Sequence, residues 1–314
     1  MRPPQHPFTS ISARRAGLAQ DARAGVAPQG AQNGIALQGA RIGLVGCGTL
    51  GQAILRAQAE GRLGARVVAV TSRSADKVRA FLAALPPPSK QAAPRQEPVA
   101  YLELAALIAA CDLVVEAAGA PVVADLARRC FAAGKDLLVI STGALLDHPE
   151  LIDLARERGC RLILPSGAIA GIDGIKAACR GRIDKLTLTT RKPPGGLAGA
   201  PYLRERGIRL DGLTEEREVF YGPVREAVRG FPENVNVSAT VALAGLGPDR
   251  TFIRILAVPG LKRNCHTIEV EGEFGALKVE VQNVPTENPK TGRLTAMSIL
   301  RAIEDAVDPV RIGG

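Results

Sequence analysis

A chain of 314 residues, 46% of them hydrophobic, has room for one large domain or two ordinary ones and for a real core, which excludes wholesale disorder. A formal charge of +9 raises nucleic acid, a membrane surface or an anionic small molecule as partners. Aromatic residues at 3%, with no Trp, argue against a stacking platform for single strands, and no apolar run is long enough for a membrane span, so neither nucleic acid nor membrane is expected.

The charge is local. Residues 1–39 carry a net +3, residues 161–210 hold ten Lys or Arg against three Asp or Glu, and the rest is close to neutral. Residues 1–39 have no sustained apolar period and read as a disordered arm, a plain tail in preference to an organelle transit peptide. From residue 40, strand-length apolar runs alternate with helix-length amphipathic stretches. ARIGLVG (40–46) predicts a strand and TLGQAILRAQAEG (49–61) a helix. ARVVAVTS (65–72) and SADKVRAFLAAL (74–85) repeat the pair, and a Pro-rich loop (86–98) follows. LVVEAAG (113–119) predicts a strand leading to a helix with Pro121 at its first position, where the missing N–H has no partner to lose. DLLVIST (136–142), a helix over 147–158 and RLILPSG (161–167) complete the series. Near-continuous Val/Ile/Leu strands separated by helices imply a parallel sheet covered on both faces.

After residue 180 the strands 184–192, 217–222, 251–258, 266–272 and 276–283 come with only one helix among them, about 235–246. Several alternate polar with apolar, as in a sheet with one solvated face. A last helix is predicted over 293–307. The expected class is α/β: a dinucleotide-binding Rossmann domain (40–164) and a second α+β domain with a mixed sheet (165–290), with 291–314 returning to the first.

Gly46-Cys47-Gly48-Thr49-Leu50-Gly51 is a GxGxxG loop between a strand and a helix. Gly46 allows the tight turn, Gly48 lets the backbone approach a pyrophosphate, and Gly51 lets helix and strand pack closely; Thr49 and Leu50 open the helix whose free N–H groups face the phosphates. The second strand ends at Ser72-Arg73 where an acid would hold the ribose of NAD. Arg73 either meets a 2′-phosphate or stacks on adenine, so NAD or NADP is expected. Ala118 and Gly119, at the end of the third long strand, either let the cofactor pass or form a packing turn.

His266, at the start of a strand, is either a buried structural imidazole or a general base. Cys265 beside it points to the opposite face, so no Cys–His pair is expected. The six cysteines include no CxxC pair, and no His spacing suggests a metal. Scattered thiols of this kind suit a cytoplasmic protein.

Taken in order, GCGTLG, EAAGAP, ISTGAL, PSGAIAGIDGIKAA, TTRKPP, FYGPVREAV, FPENVNVSATVALAGLG, NCHTIEVEGEFG and VQNVPTENPKTGRLTAMSIL resemble the L-aspartate dehydrogenase family over about residues 40–307. The resemblance implies oxidative deamination of L-aspartate to iminoaspartate with NAD or NADP. The imine hydrolyses to oxaloacetate and ammonia, and in some members feeds NAD biosynthesis. It also implies a homodimer. The family's catalytic His matches His266, and cofactor contacts match Ala168 in PSGAIAG and Asn236 in NVNVSA. The arm 1–39 has no counterpart, and Ser72 stands where many members carry an acid.

Hydride leaves Cα only when the amine is neutral, so a base must take the ammonium proton, and His266 is the candidate. The two substrate carboxylates need cations or N–H donors. Lys192 is one candidate, with Arg191 on the other face of its strand. Asn234 is a second, unless it caps the following helix. The basic block 161–210 reads as a field that attracts the dianion. The alternatives are a dehydrogenase or reductase of another acidic amino or keto acid, or a non-catalytic dinucleotide sensor.

Overall fold

The computed structural model describes residues 39–86, 98–232, 235–284 and 292–313. The expected arm and most of the loop 86–98 lie outside them. The first half runs β1 (Arg41–Val45), α1 (Thr49–Ala59), β2 (Arg66–Thr71), α2 (Ala75–Ala83), β3 (Ala100–Tyr101), α3 (Leu104–Ala110), β4 (Leu113–Glu116), α4 (Ala120–Ala132), β5 (Asp136–Val139), α5 (Ala144–Asp147), α6 (Glu150–Glu157) and β6 (Leu162–Ile163). All strand pairs are parallel, in the order β3-β2-β1-β4-β5-β6. That is the doubly wound order of dinucleotide-binding sheets, with its switch point between β1 and β4.

The second half adds α7 (Ile172–Ala178), β7 (Ile183–Lys192), α8 (Pro201–Glu205), β8 (Arg217–Pro223), α9 (Val224–Gly230), α10 (Val235–Ala244), β9 (Phe252–Ala257), β10 (Asn264–Gly272), β11 (Gly275–Asn283) and α11 (Arg293–Val307). Its sheet, β11-β10-β7-β9-β8, is mixed: β7 and β9 are parallel and the other pairs antiparallel.

Three apolar clusters follow from the layers. Leu107, Val114, Leu126, Phe131 and Leu145 fill one face of the first sheet. Ile42, Leu44, Ile54 and Val115 fill the other, joined by Ile299 and Ile303 of α11. Leu186, Leu188, Ile255, Ile268 and Val270 pack against Ala239 and Val241 of α10 and Ile175 of α7. α10 carries no charge and buries Ser238 through Ala242, as suits a helix enclosed on most sides.

Several local expectations are corrected. The helix expected over 147–158 is α6, which starts after Pro149, and a separate short helix, α5, precedes it; proline cannot donate to a helix continuing across His148-Pro149. Pro121 is the second residue of α4, not the first, still within the turn whose N–H groups have no partner. The strand expected over 161–167 is only Leu162–Ile163; Pro165 lacks a donor and Gly167 takes φ of +66°. The strand pattern after residue 180 also hid α8 and α9, each too short to show a helical period. No helix among the described residues is long and apolar enough to cross a membrane.

Candidate active site

Gly46 adopts φ of +109°, and a Cβ there would run into the backbone of Ala117, so the turn after β1 is pressed against the end of β4. A Cβ on Gly51 would strike the carbonyl of Gly46, which ties α1 to that turn. Gly48 is different: a Cβ there would meet no protein atom within 4 Å. Its missing side chain therefore leaves open space beside the start of α1, where no side chain caps the helix. The first-turn N–H groups at Thr49, Leu50 and Gly51 have no intrahelical acceptor. Open backbone at a helix N-terminus on the switch point of the sheet fits the pyrophosphate of a dinucleotide.

The neighbouring strand ends are held by a buried carboxylate. Glu116, fully enclosed at the end of β4, accepts from the N–H groups of Ala118 and Gly119, both at 2.7 Å, from Ser141 N at 2.9 Å and from the Ser141 hydroxyl at 3.1 Å. One side chain thus sets the turn of Ala118 and Gly119 (φ +103°) and the residue after β5. Arg73 is exposed just beyond β2, beside Ser72, whose carbonyl takes the Tyr101 hydroxyl at 3.5 Å.

Between the two sheets lies an open cleft of about 860 Å³, solvent at its mouth included. The first half contributes Leu50, Ile140, Thr142 and the segment Pro165 to Ala168. Asn236 and Thr240 come from α10, Lys192 from the end of β7, Asn264 and His266 from β10, Asn283 from β11, and Thr295 from α11. Leu50, Ala168, Lys192, Asn236 and His266 of the sequence-predicted residues are therefore brought to one cavity. Gly46, Gly48, Thr49, Gly51, Ala118, Gly119 and Arg73 line no part of it; they lie at the ends of β1, β2 and β4. Asn234 lies outside the described residues.

His266 is 5% exposed, and its Nδ1 is 3.1 Å from the hydroxyl oxygen of Thr190, its register partner on β7. Burial pushes its pKa down to about 4, and Lys192 nearby adds to the effect. The ring is thus neutral at physiological pH. Lys192 shares the His266 face of the sheet with Thr190. Arg191 faces the other way, toward Glu216 at 3.3 Å and the Thr267 hydroxyl at 3.3 Å. Cys265 is likewise turned from His266, its thiol donating to Arg263 O at 3.7 Å and pushed up in pKa by burial.

Asn236 bridges the halves. Its side-chain oxygen accepts from Gly143 N at 3.0 Å, and its carbonyl accepts from Thr142 at 2.9 Å and from Thr240 at 2.9 Å. A Cβ on Gly143 would collide with Val235, so glycine is what lets α10 come this close.

The basic block reaches the cleft at a single described residue. Of its ten cations Lys192 alone, among the described residues, lines the cleft. Arg161 pairs with Asp136 at 2.7 Å, Arg182 with Asp184 at 2.7 Å, Lys185 with Glu271 at 3.3 Å and Arg209 with Asp211 at 3.6 Å. These pairs offset part of the block's charge. Asn264 and Asn283 were missed. Asn264 stands two residues from His266, so period-two alternation puts it on the same face. Asn283 ends an alternating strand and donates to Ala168 O at 2.7 Å; nothing in its local sequence announces that contact.

A family model described as aspartate dehydrogenase, C-terminal, matches residues 173–306, and one described as homoserine dehydrogenase, NAD binding domain, matches residues 46–165. The L-aspartate dehydrogenase of Methanosarcina mazei is 43% identical over 276 residues, covering 87% of this chain and 98% of that protein. The L-aspartate dehydrogenase 3 of Bordetella bronchiseptica is 40% identical over 273 residues, covering 87% and 97%. The crystal structure of aspartate dehydrogenase from Thermotoga maritima shares the fold, with a TM-score of 0.62 at 21% identity over 87% of this chain and 99% of that one. With a nucleotide-binding sheet, a mixed second sheet and a cleft between them, this chain belongs to the L-aspartate dehydrogenase family.

Proposed function

We propose that the protein oxidises L-aspartate to iminoaspartate with NAD or NADP, the imine then hydrolysing to oxaloacetate and ammonia. The observation that carries this reading is the meeting of a neutral His266 and a cation, Lys192, in a cleft that opens beside the nucleotide-binding turn. The cofactor, when bound, supplies the hydride acceptor. Gly48 and the start of α1 take its pyrophosphate, while Ala118, Gly119, Ala168 and Asn236 border its path toward the cleft. The oxygen of Asn236 is committed to Gly143, so its amide N–H₂ is the end left to donate.

Lys192 binds a substrate carboxylate, with Asn264 and Asn283 as neutral donors nearby. His266 takes one proton from the substrate ammonium, and the N–H electron pair stays on nitrogen to expel hydride from Cα. A pKa near 4 makes His266 a weak acceptor in the ligand-free cleft. The two substrate carboxylates oppose the Lys192 charge and bring negative charge beside the ring, which favours the imidazolium at the moment it is needed.

Absorbance of NAD(P)H on adding L-aspartate tests the reading, against D-aspartate, L-glutamate and L-malate. Reduction with L-aspartate supports it; no reduction with L-aspartate but reduction with another acid replaces the substrate. A homodimer is part of the proposal. Light scattering of the purified protein checks this. Six free thiols suit a reducing setting such as the cytoplasm.

A further inference from the structure

The hydroxyl of Thr190 lies against the Nδ1 edge of His266. Thr190 is 1% exposed, on the central strand of its sheet, between Ile255 on β9 and His266 on β10. A β-branched side chain in a strand has a restricted χ1, so the oxygen is held where it is. It lies 3.1 Å from Nδ1.

A neutral imidazole carries its proton on one nitrogen or the other, and the partner of one nitrogen decides what the second can do. If the Thr190 O–H donated to Nδ1, the ring proton would sit on Nε2, and Nε2 would accept nothing. If Nδ1–H donates to the Thr190 oxygen, Nε2 keeps its lone pair. Once the ring is protonated both nitrogens are donors, and the oxygen must then accept from Nδ1–H. Only the accepting arrangement serves both charge states without turning the hydroxyl.

We propose that Thr190 is a positioning residue of the reaction, its oxygen accepting from Nδ1–H of His266 so that Nε2 is the nitrogen that takes the substrate proton. The proposal deepens the reading of His266 as the base and rests on it. A hydroxyl orients the ring without adding negative charge. Thr190 on β7 and Val281 on β11 flank His266 in register, and the cleft it lines is also lined by Lys192, Asn264, Asn236, Thr240 and Thr295. Lys192 is the one charged group among them, and it resists early protonation.

The test compares Thr190→Val, which keeps the shape, with Thr190→Ser, which keeps the oxygen, alone and with His266→Asn. Thr190→Val is expected to lower kcat on the order of ten-fold, with KM for the cofactor within about two-fold, and Thr190→Ser to stay within about three-fold of the native enzyme. Added to His266→Asn, Thr190→Val should cost nothing further. A native kcat in Thr190→Val, an equal loss in Thr190→Ser, or the same loss in the His266→Asn background would each overturn the proposal, the last two pointing to packing. Ring ¹⁵N shifts of His266 in the native protein, assigned by difference from His266→Asn, need no folded Thr190 variant. A protonated Nδ1 and a bare Nε2 support the proposal, and the reverse tautomer sinks it. If His266→Asn itself turns over normally, the base reading falls and this proposal with it; if only Thr190→Val does, the base reading stands alone.

Discussion

The side-chain oxygen of Asn236 accepts from the backbone N–H of Gly143, 3.0 Å away, so one residue of α10 holds the loop after β5 and still borders the cleft. The two jobs separate by substitution. Asn236→Asp keeps an acceptor for Gly143 and loses the amide donor; Asn236→Ala loses both. Asn236→Asp should keep the native Tm in the ligand-free protein while weakening NAD(P)H binding. Asn236→Ala should also lose roughly 1–3 kcal/mol of stability, because Gly143 N–H is left without its partner. Fluorescence titration with NAD(P)H and thermal unfolding of the two variants check this.

Lys192→Met removes the cation that lines the cleft. KM for L-aspartate should rise roughly ten- to a hundred-fold, the usual range for a lost charge-assisted hydrogen bond. The pKa of His266 should rise in the same variant, since one of its two depressing causes is gone; an NMR titration of the ring reads this directly.

The buried ring also makes stability depend on pH. Above pH 6.5 the ring is neutral in folded and unfolded chains alike. As pH falls below 6.5 the unfolded chain takes a proton that the folded chain refuses until about 4. Stability contributed by the neutral ring is therefore complete above 6.5 and lost between 6.5 and 4, about 2 kcal/mol of it by pH 5. Urea unfolding at pH 7 and pH 5 should show a larger drop for the native protein than for His266→Gln, by about that amount.

Gly48→Ala adds a methyl group that meets no protein atom. The ligand-free variant should unfold at the native temperature, yet bind NAD(P)H far more weakly, because the methyl group occupies the space the pyrophosphate needs. Differential scanning with and without NAD(P)H separates the two effects.

Arg73 is exposed, so its contact with a 2′-phosphate is expected to contribute no more than about 1 kcal/mol. Arg73→Ala should raise KM for NADP by up to about five-fold and leave KM for NAD within two-fold. Equal losses with both cofactors would assign Arg73 to the adenine face instead.

The nucleotide-binding half was legible because its signals are local. GCGTLG sits between a strand and a helix, and both the tight turn at Gly46 and the open flank at Gly48 follow from glycine itself. Short helices were not. In α3, seven residues of Leu, Ala and Ile have no polar face to show a period, and α7 carries Gly174 mid-helix, which reads as a breaker. That glycine is there for a distant reason: a Cβ would sit 3.0 Å from Leu277 on the hairpin behind it. Within the cleft, His266 and Lys192 could be named from residue type and alternation. Thr190 and Asn283 could not, because their partners, His266 and Ala168, are 76 and 115 residues away. The sequence hides the partners of its charges for the same reason. Arg161 counts as a cation in the sequence and is bound to Asp136, 25 residues back, and to the carbonyl of Ala306.

The placement of α11 has a consequence for how the protein is made. Ile299, Ile303 and Ala306 fill the same apolar cluster as Ile42 and Leu44, and Glu304 takes the N–H of Gly64 at 2.9 Å. The core of the nucleotide-binding half is therefore completed by residues synthesised after the whole second sheet. On the ribosome the first sheet is left with part of one apolar face uncovered until residue 306 has emerged, and a nascent chain halted at residue 284 should be held by chaperones or cut by proteases where the finished protein is not.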